Sequence, residues 1–388
     1  IPFQPERINA LLGPDVSEED MLSYFKKIDL GYDAEKREVI APTFRHDLFR
    51  MADLAEEVAR FYGYDNIPTT LPKGESTLGK LPFEVRIEGI ARDVAEFSGF
   101  SESMNYSFES PKVFDKLLIP EDSELRKPIV ISNPLGEDFS VMRTTVLPSM
   151  LDNLAHNHAH RNPTASLYEL GTIYTPTVKD GKADPDVLPH EEKILTLGSY
   201  GRLSFFQFKG AIEALLRELN IKGASFAPEK ANPSYHPGRC AKVLIDGKKI
   251  GVFGTIHPTV AARYGLSGEI LAAELRMDAL LAAIDPEKLY HPLPKFPAST
   301  RDIAVLVDDA VPAASMQAAV EKAAGKLLES VKLFDVYKGK GIPDGKKSVA
   351  YSLSMRAPDR TLTDEECDKA MRAAISALET EFGAQLRG

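Results

Sequence analysis

The sequence predicts an α+β chain of several domains, and three observations predict it. Its 388 residues exceed what one hydrophobic core serves and call for two to four domains. The front carries one long stretch with apolar residues at helical spacing, whereas the middle mixes many short β-prone runs with a few long helical ones around an antiparallel sheet. Roughly the last hundred residues run strand, helix, strand, strand, helix, strand, the order of a ferredoxin-like split βαβ sandwich.

Residues 1–72 read as the first module. Ser17-Glu18-Glu19-Asp20 has the form of a capping-box start, with Met21, Leu22, Phe25 and Ile28 as the apolar face and Gly31 as the stop. A short strand at Val39 and Ile40 leads into residues 45–64, which read as one helix. Its apolar stripe is Leu48, Met51, Ala52, Ala55, Val58, Ala59 and Tyr62, with Asp47 as N-cap and Gly63 just past the end. Two helices with small strands suit a winged-helix-like module, although the acidic second helix makes a poor reader of a DNA groove. Asp53, Glu56 and Glu57 fall within one sector of roughly 100°, opposite the stripe. With Asp47 upstream they are the oxygen donors that Mg²⁺ takes, and the same pattern equally describes a solvated acidic face.

Residues 68–76 are rich in turn formers and read as a linker. A helix follows over 83–97 and ends at Gly99. Strands are expected at 102–108, 129–132, 167–174, 194–200, 241–245 and 250–255, helices at 145–160 and 207–219, and a boundary near Asp285. His156, His158 and His160 lack the glutamate that a zincin-type helix places after its first histidine, because Asn157 stands there. Arg143 and Arg239 suit a phosphate grip or, more simply, structural ion pairs. His236 has no nearby nucleophile to serve.

The last module holds strands at 303–307, 331–337 and 348–355, helices at 313–324 and 364–382, and a terminal strand through Leu386. Thr363 caps the second helix, with Asp364, Glu365 and Glu366 at the positive end of its dipole. Lys338-Gly339-Lys340-Gly341-Ile342-Pro343-Asp344-Gly345-Lys346-Lys347-Ser348 misses the P-loop spacing, because Lys347 stands where Ser or Thr should follow Lys346. As a hairpin it sets four lysines beside Tyr337, a composition suited to stacking an unpaired base, or simply a solvated basic turn.

A formal charge of −10 argues against binding nucleic acid through bulk electrostatics, so any RNA contact should be local or shared. No run of about 18 apolar residues occurs, which excludes a helical membrane span. Cys240 and Cys367 are too few for a stapled secreted fold or a zinc site, and no signal peptide opens the chain. A reducing cytoplasm fits, and a start on Ile1 fits a piece of something longer.

Several of these stretches carry a resemblance to a known family. Pro42-Thr43-Phe44-Arg45-His46-Asp47, then Asp53-Leu54-Ala55-Glu56-Glu57-Val58-Ala59-Arg60-Phe61-Tyr62-Gly63-Tyr64, resemble the B5 domain of bacterial phenylalanyl-tRNA synthetase beta subunits. Gly99-Phe100-Ser101-Glu102, Asn133-Pro134-Leu135, Met142-Arg143-Thr144-Thr145, Tyr168-Glu169-Leu170-Gly171 and His236-Pro237-Gly238-Arg239 resemble their catalytic-like core. Arg301-Asp302-Ile303-Ala304-Val305, Leu333-Phe334-Asp335-Val336-Tyr337 and Asp359-Arg360-Thr361-Leu362-Thr363 look like their ferredoxin-fold anticodon-binding domain.

The resemblance implies a B5 domain over 1–72, an inactive class II synthetase-like core over 75–290 and the anticodon-binding domain over 294–388. It implies Mg²⁺ on Asp47, Asp53, Glu56 and Glu57, shared with an alpha subunit. The core is expected to be silent, since the arginine-bearing Gly-rich signature of a working class II site is missing. Contact with the anticodon of tRNA(Phe) is implied, with Tyr337 stacking on a base, Asp335 and Ala304 near its edge, and Arg301, Lys338 and Lys340 alongside; Arg301 equally fits a strand-end ion pair. The implied role is scaffold, shared metal site and anticodon grip in an (αβ)₂ phenylalanine–tRNA ligase whose alpha subunit carries ATP-dependent aminoacylation. The amino-terminal tRNA-binding and editing modules are not in this sequence, so a carboxy-terminal fragment without editing is expected. A stand-alone tRNA-binding or regulatory protein is the alternative, and a Mg²⁺-dependent hydrolase a more distant one.

Overall fold

The computed structural model describes residues 1–179, 182–183, 187–290 and 292–387. It divides into two compact units, Ile1–Phe83 and Glu84–Gly388.

In the first unit, helices Pro5–Leu12, Glu18–Lys26 and Met51–Tyr62 pack around Ile8, Met21, Phe25, Leu54 and Val58. A hairpin of Gly31–Asp33 and Glu38–Ile40 closes one side, and its second strand exchanges backbone hydrogen bonds with Ile1. Ser17 caps its helix as expected by accepting from the Asp20 N–H. The first helix is an addition to the expected pair; its signal is Pro5, which at a helix start loses no hydrogen bond. Gly31 is not a stop: the second helix ends at Lys26, Asp29 takes the left-handed turn (φ 59°), and Gly31 opens a strand. The expected N-cap Asp47 is also corrected. The third helix starts at Met51, and Asp53 receives the Phe49 and Arg50 N–H groups at 2.8 and 2.9 Å.

The second unit opens at Glu84, the second residue of helix Phe83–Phe97. Its large sheet has seven strands in the order Ala224–Pro228, Tyr235–Ile245, Lys248–Ile256, Ile270–Arg276, His190–Tyr200, Ala165–Thr175 and Ser101–Glu102. All neighbours are antiparallel except the last pair, which is parallel. Both faces are covered. Phe83–Phe97 and Phe205–Glu218 press Ile87, Ala91, Phe208, Ile212 and Leu215 against Leu195, Leu197, Leu271, Ala273 and Leu275. On the other face Leu147–Ala159 and Pro258–Arg263 bury Leu151, Leu154 and Val260 against Tyr200, Val252, Ile270 and Ala272. Gly198 lets the first of these approach closely: a Cβ there would lie 2.7 Å from the Met150 side chain.

The expected strand over 102–108 is split. Ser101–Glu102 joins the sheet, whereas Phe108–Glu109 pairs with Val141–Met142 apart from it. The strand expected over 129–132 reduces to one bridge, Val130 to Val141. Asn220 donates to the Asp285 and Glu287 carbonyls, tying the expected boundary segment to the core.

A four-stranded antiparallel sheet follows, in the order Leu328–Tyr337, Lys346–Met355, Ser299–Asp308 and Gln385–Leu386. Helices Ala313–Ala324 and Asp364–Phe382 cover one face over Ile303, Val305, Val307, Val349, Tyr351 and Leu353. This is the ferredoxin-like β-α-β-β-α-β order, and among the described residues no helix of the module covers its other face. The fold class is therefore α+β as expected.

Candidate functional site

Of the four carboxylates on or near helix Met51–Tyr62, two are joined by an internal cation. Arg45 Nη2 lies 2.6 Å from both Asp47 Oδ2 and Glu57 Oε1, and Arg60 Nη2 lies 2.5 Å from Glu57 Oε2. Glu57 is 6 % exposed, so it is buried rather than standing on a solvated face. Burial works against its charged form, but the two arginines outweigh that and hold it below the ordinary carboxylate range. The Arg45 hydrogen bonds bring Asp47 down to about 2. Asp53 is also lowered, by the two backbone N–H groups it caps. Glu56 is exposed. An oxygen-only donor set suits Mg²⁺, yet as folded the four do not converge: among the described residues no trio of His, Cys, Asp or Glu is placed to hold a metal ion.

In the core, Arg143 is committed to structure. Only 3 % exposed, it sets Nη1 2.8 Å from Glu169 Oε1 and Nε 2.8 Å from the Thr172 carbonyl, while Asn105 donates to Glu169 Oε2. Its Nε and Nη1 are thus taken by the protein itself. Arg239 pairs with Glu269 at 3.3 Å. The histidine run divides: His156 and His160 rings lie 4.3 Å apart, and His158 contacts Ser267. His236 accepts the Gly238 N–H and shapes a turn.

The ferredoxin-like module brings three of the six expected RNA-contact residues together. Strand register sets Asp335 and Ala304 on either side of Ala350, and Tyr337 beside Ser348 two residues further on. Since Val349, Tyr351 and Leu353 point into the core, Ala350 and Ser348 belong to the opposite face. Ala304, Ala350 and Ser348 thus give a floor of small side chains, with the Tyr337 ring 39 % exposed at its side. A register shift between Leu333 and Asp335 re-phases this edge strand.

Arg301 does not join them. Two residues before Ile303, it lies on the helix side and donates to Asp364 Oδ1 at 2.7 Å, the strand-end ion pair. Lys338 pairs with Asp309. Lys340 is exposed, and its carbonyl accepts from the Tyr337 hydroxyl at 3.3 Å. Lys347 leaves the expected basic cluster, because its ammonium is buried against the Asp309 and Val311 carbonyls. A cation missed in the sequence takes its place: exposed Arg387 donates to Ser348 Oγ, next to Tyr337. Its signal was the terminal strand itself, which pairs Leu386 with Val305.

An aromatic side chain with cations nearby is the composition suited to stacking an unpaired base. Comparison with known proteins identifies the domains. A model of the phenylalanyl tRNA synthetase beta chain CLM domain matches residues 67–277, more than half of the chain. The chain belongs to the phenylalanyl-tRNA synthetase beta-chain family. The tRNA synthetase B5 domain matches residues 1–64, and the ferredoxin-fold anticodon binding domain matches 294–387. Among beta-chain relatives, the phenylalanine–tRNA ligase beta subunit of Clostridium acetobutylicum is 43% identical over 98% of this chain and 48% of its own length. That of Clostridium tetani is 44% identical over 98% and 48%, and that of Bacillus subtilis 34% over 99% and 48%. The chain spans about half the length of the beta subunits it matches. Among the described residues no helix is long and apolar enough to cross a membrane.

Proposed function

We propose that the chain supplies the holding and orienting part of a cytoplasmic phenylalanine–tRNA ligase, in an (αβ)₂ assembly with an alpha subunit that binds ATP and performs aminoacylation. The observation that carries this reading is the shared face of Ala304, Asp335 and Tyr337, on which Tyr337 stacks a base of the tRNA(Phe) anticodon while Lys340, Lys338 and Arg387 steady its phosphates. The three modules take the bounds 1–72, 75–290 and 294–388. Arg301 acts as the ion-pair partner of Asp364 rather than as an RNA contact.

The commitment of Arg143 to Glu169 supports a silent core. A Mg²⁺ ion on Asp47, Asp53, Glu56 and Glu57 belongs to a second arrangement of this helix face, in which Arg45 and Arg60 release Glu57; the arrangement described above does not fit the ion, and no chemical step runs through it.

The test mixes this chain with the alpha subunit of a relative, with and without EDTA, and measures complex size, ATP–pyrophosphate exchange and charging of tRNA(Phe). Exchange is expected only when alpha is present. Tyr337→Ala should weaken tRNA(Phe) binding by about 1–3 kcal/mol, and a transcript with an altered anticodon should remove that difference. Exchange by the chain alone refutes the silent core. Unchanged tRNA affinity in the variant refutes the anticodon face, and EDTA without effect on assembly refutes the ion.

A further inference from the structure

In the second unit, the short hairpin that pairs Phe108–Glu109 with Val141–Met142 stands beside helix Leu147–Ala159. Between them lies a cleft of about 400 Å³, within the size range of small-ligand sites. Glu109 lines it and is only 6 % exposed, yet neither carboxyl oxygen has a hydrogen-bond partner among the described residues. Buried polar groups are ordinarily satisfied, so a carboxyl left bare on a cleft wall points to something that completes it. The nearby Arg143 guanidinium makes no hydrogen bond to it and directs Nε and Nη1 to Thr172 and Glu169.

The cleft's chemistry narrows the occupant. Asp138 and Asp152 add two further acids, against one lysine, Lys116, whose ammonium sits 4.8 Å from the Tyr264 ring centre. The surplus is negative. A bare metal ion is disfavoured, because among the described residues no trio of ligating side chains is in place. Tyr106, Phe108 and Phe139 supply aromatic surface, with the Tyr106 and Phe139 rings edge to face at 6.2 Å. Acid beside aromatic rings is the pairing that recognises organic cations.

We propose that this cleft binds an organic cation, an alkylammonium or alkylguanidinium group, whose head pairs with Glu109 while its stem lies along Tyr106, Phe108 and Phe139. The reading is independent of the proposed tRNA face. Burial pushes the Glu109 carboxyl up to about 8, so at neutral pH it holds a proton that the incoming cation displaces to solvent. The charges that act on it are Arg143, which favours ionisation, and Asp152, Glu274 and Glu169, which oppose it; Lys116 stands on the cleft wall.

The experiment is isothermal titration calorimetry of the intact chain with n-butylammonium and n-butylguanidinium, and with n-butanol and butyrate as controls. Saturable binding of the cations alone is expected, weakened at least tenfold in Glu109→Gln, whose fold is checked by circular dichroism. Repeating the cation titration in phosphate and in Tris should show heats that differ through proton release, a readout that needs no variant. The amides of N-acetyl-lysine and N-acetyl-arginine identify the source: tighter binding than the free amines indicates a side chain of another protein, and equal binding indicates a free small amine. Equal binding of butanol, unaltered cation affinity in Glu109→Gln, or no saturable cation binding at millimolar concentration overturns the proposal.

Discussion

Removing one member of the Arg143 and Glu169 pair should cost far more than removing both. The side chains are 3 % and 5 % exposed and 2.8 Å apart, and each has further hydrogen bonds, to the Thr172 carbonyl and from Asn105. Arg143→Met leaves the Glu169 carboxylate buried with Asn105 as its remaining partner, and uncompensated buried charges of this kind cost about 3–5 kcal/mol. Arg143→Met with Glu169→Met removes both charges and leaves mainly the amide of Asn105 short of an acceptor, a loss of about 1–3 kcal/mol. The cycle should therefore show a coupling of at least about 2 kcal/mol. Urea unfolding followed by tyrosine fluorescence is suited to the measurement, because the chain has no Trp and 13 Tyr. The comparison uses the transition that Arg143→Met moves, since a chain of more than one unit need not unfold in a single step. Single variants losing less than about 1 kcal/mol, or losses that simply add, would refute the reasoning.

Two further outcomes follow from the same structure. Glu109 has its folded pKa raised from 4.5 to about 8, so its contribution is fully favourable below pH 4.5 and is lost as pH rises through 8. At about 1.4 kcal/mol per pH unit the loss is on the order of 5 kcal/mol. Glu109→Gln should remove that slope, and a denaturation series between pH 5 and pH 8 checks it; parallel curves for the two proteins would contradict the buried, bare carboxyl. Thr363 accepts the Glu366 N–H while Glu366 accepts the Thr363 N–H, so Thr363→Ala should destabilise the ferredoxin-like module by about 1 kcal/mol, measured by the same unfolding series.

The fold was most legible where one face of an element is wet, although the doubly buried strands at 194–200 and 250–255 were legible too. Phe83–Phe97 emerges with the expected bounds because Ile87, Ala91 and Ala95 recur at helical spacing among polar residues. Strand Ile270–Arg276 escaped, since Ile270 and Ala272 pack on one side of the sheet while Leu271, Ala273 and Leu275 pack on the other. Its first four residues, Ile270 to Ala273, show no alternation, and helix Met277–Ala283 follows Arg276 with no turn former between them. Helix boundaries failed for a different reason. Asp47 has the right chemistry for a cap, but Arg45 takes both its oxygens, and Asp53 caps the helix from within.

The candidate site shows the same division between local pattern and tertiary partner. Period-2 geometry alone separates Arg301 from Ala304 along one strand, an odd and an even residue that face opposite ways, and the structure gives Arg301 to Asp364 accordingly. Period could not place Asp335 and Tyr337, because the register shift after Leu333 changes the phase of that strand. Charge counting misses the partners: of four lysines around the hairpin, Lys338 pairs with Asp309 while staying exposed and Lys347 is spent on backbone carbonyls, and Arg387 joins from the last strand. On the acidic helix the wheel grouped Glu57 with Glu56, yet two arginines draw Glu57 inward and make its charge tolerable there. A cation's address depends on which carboxylates and carbonyls compete for it in three dimensions, and this competition is what a linear reading of charged residues leaves out.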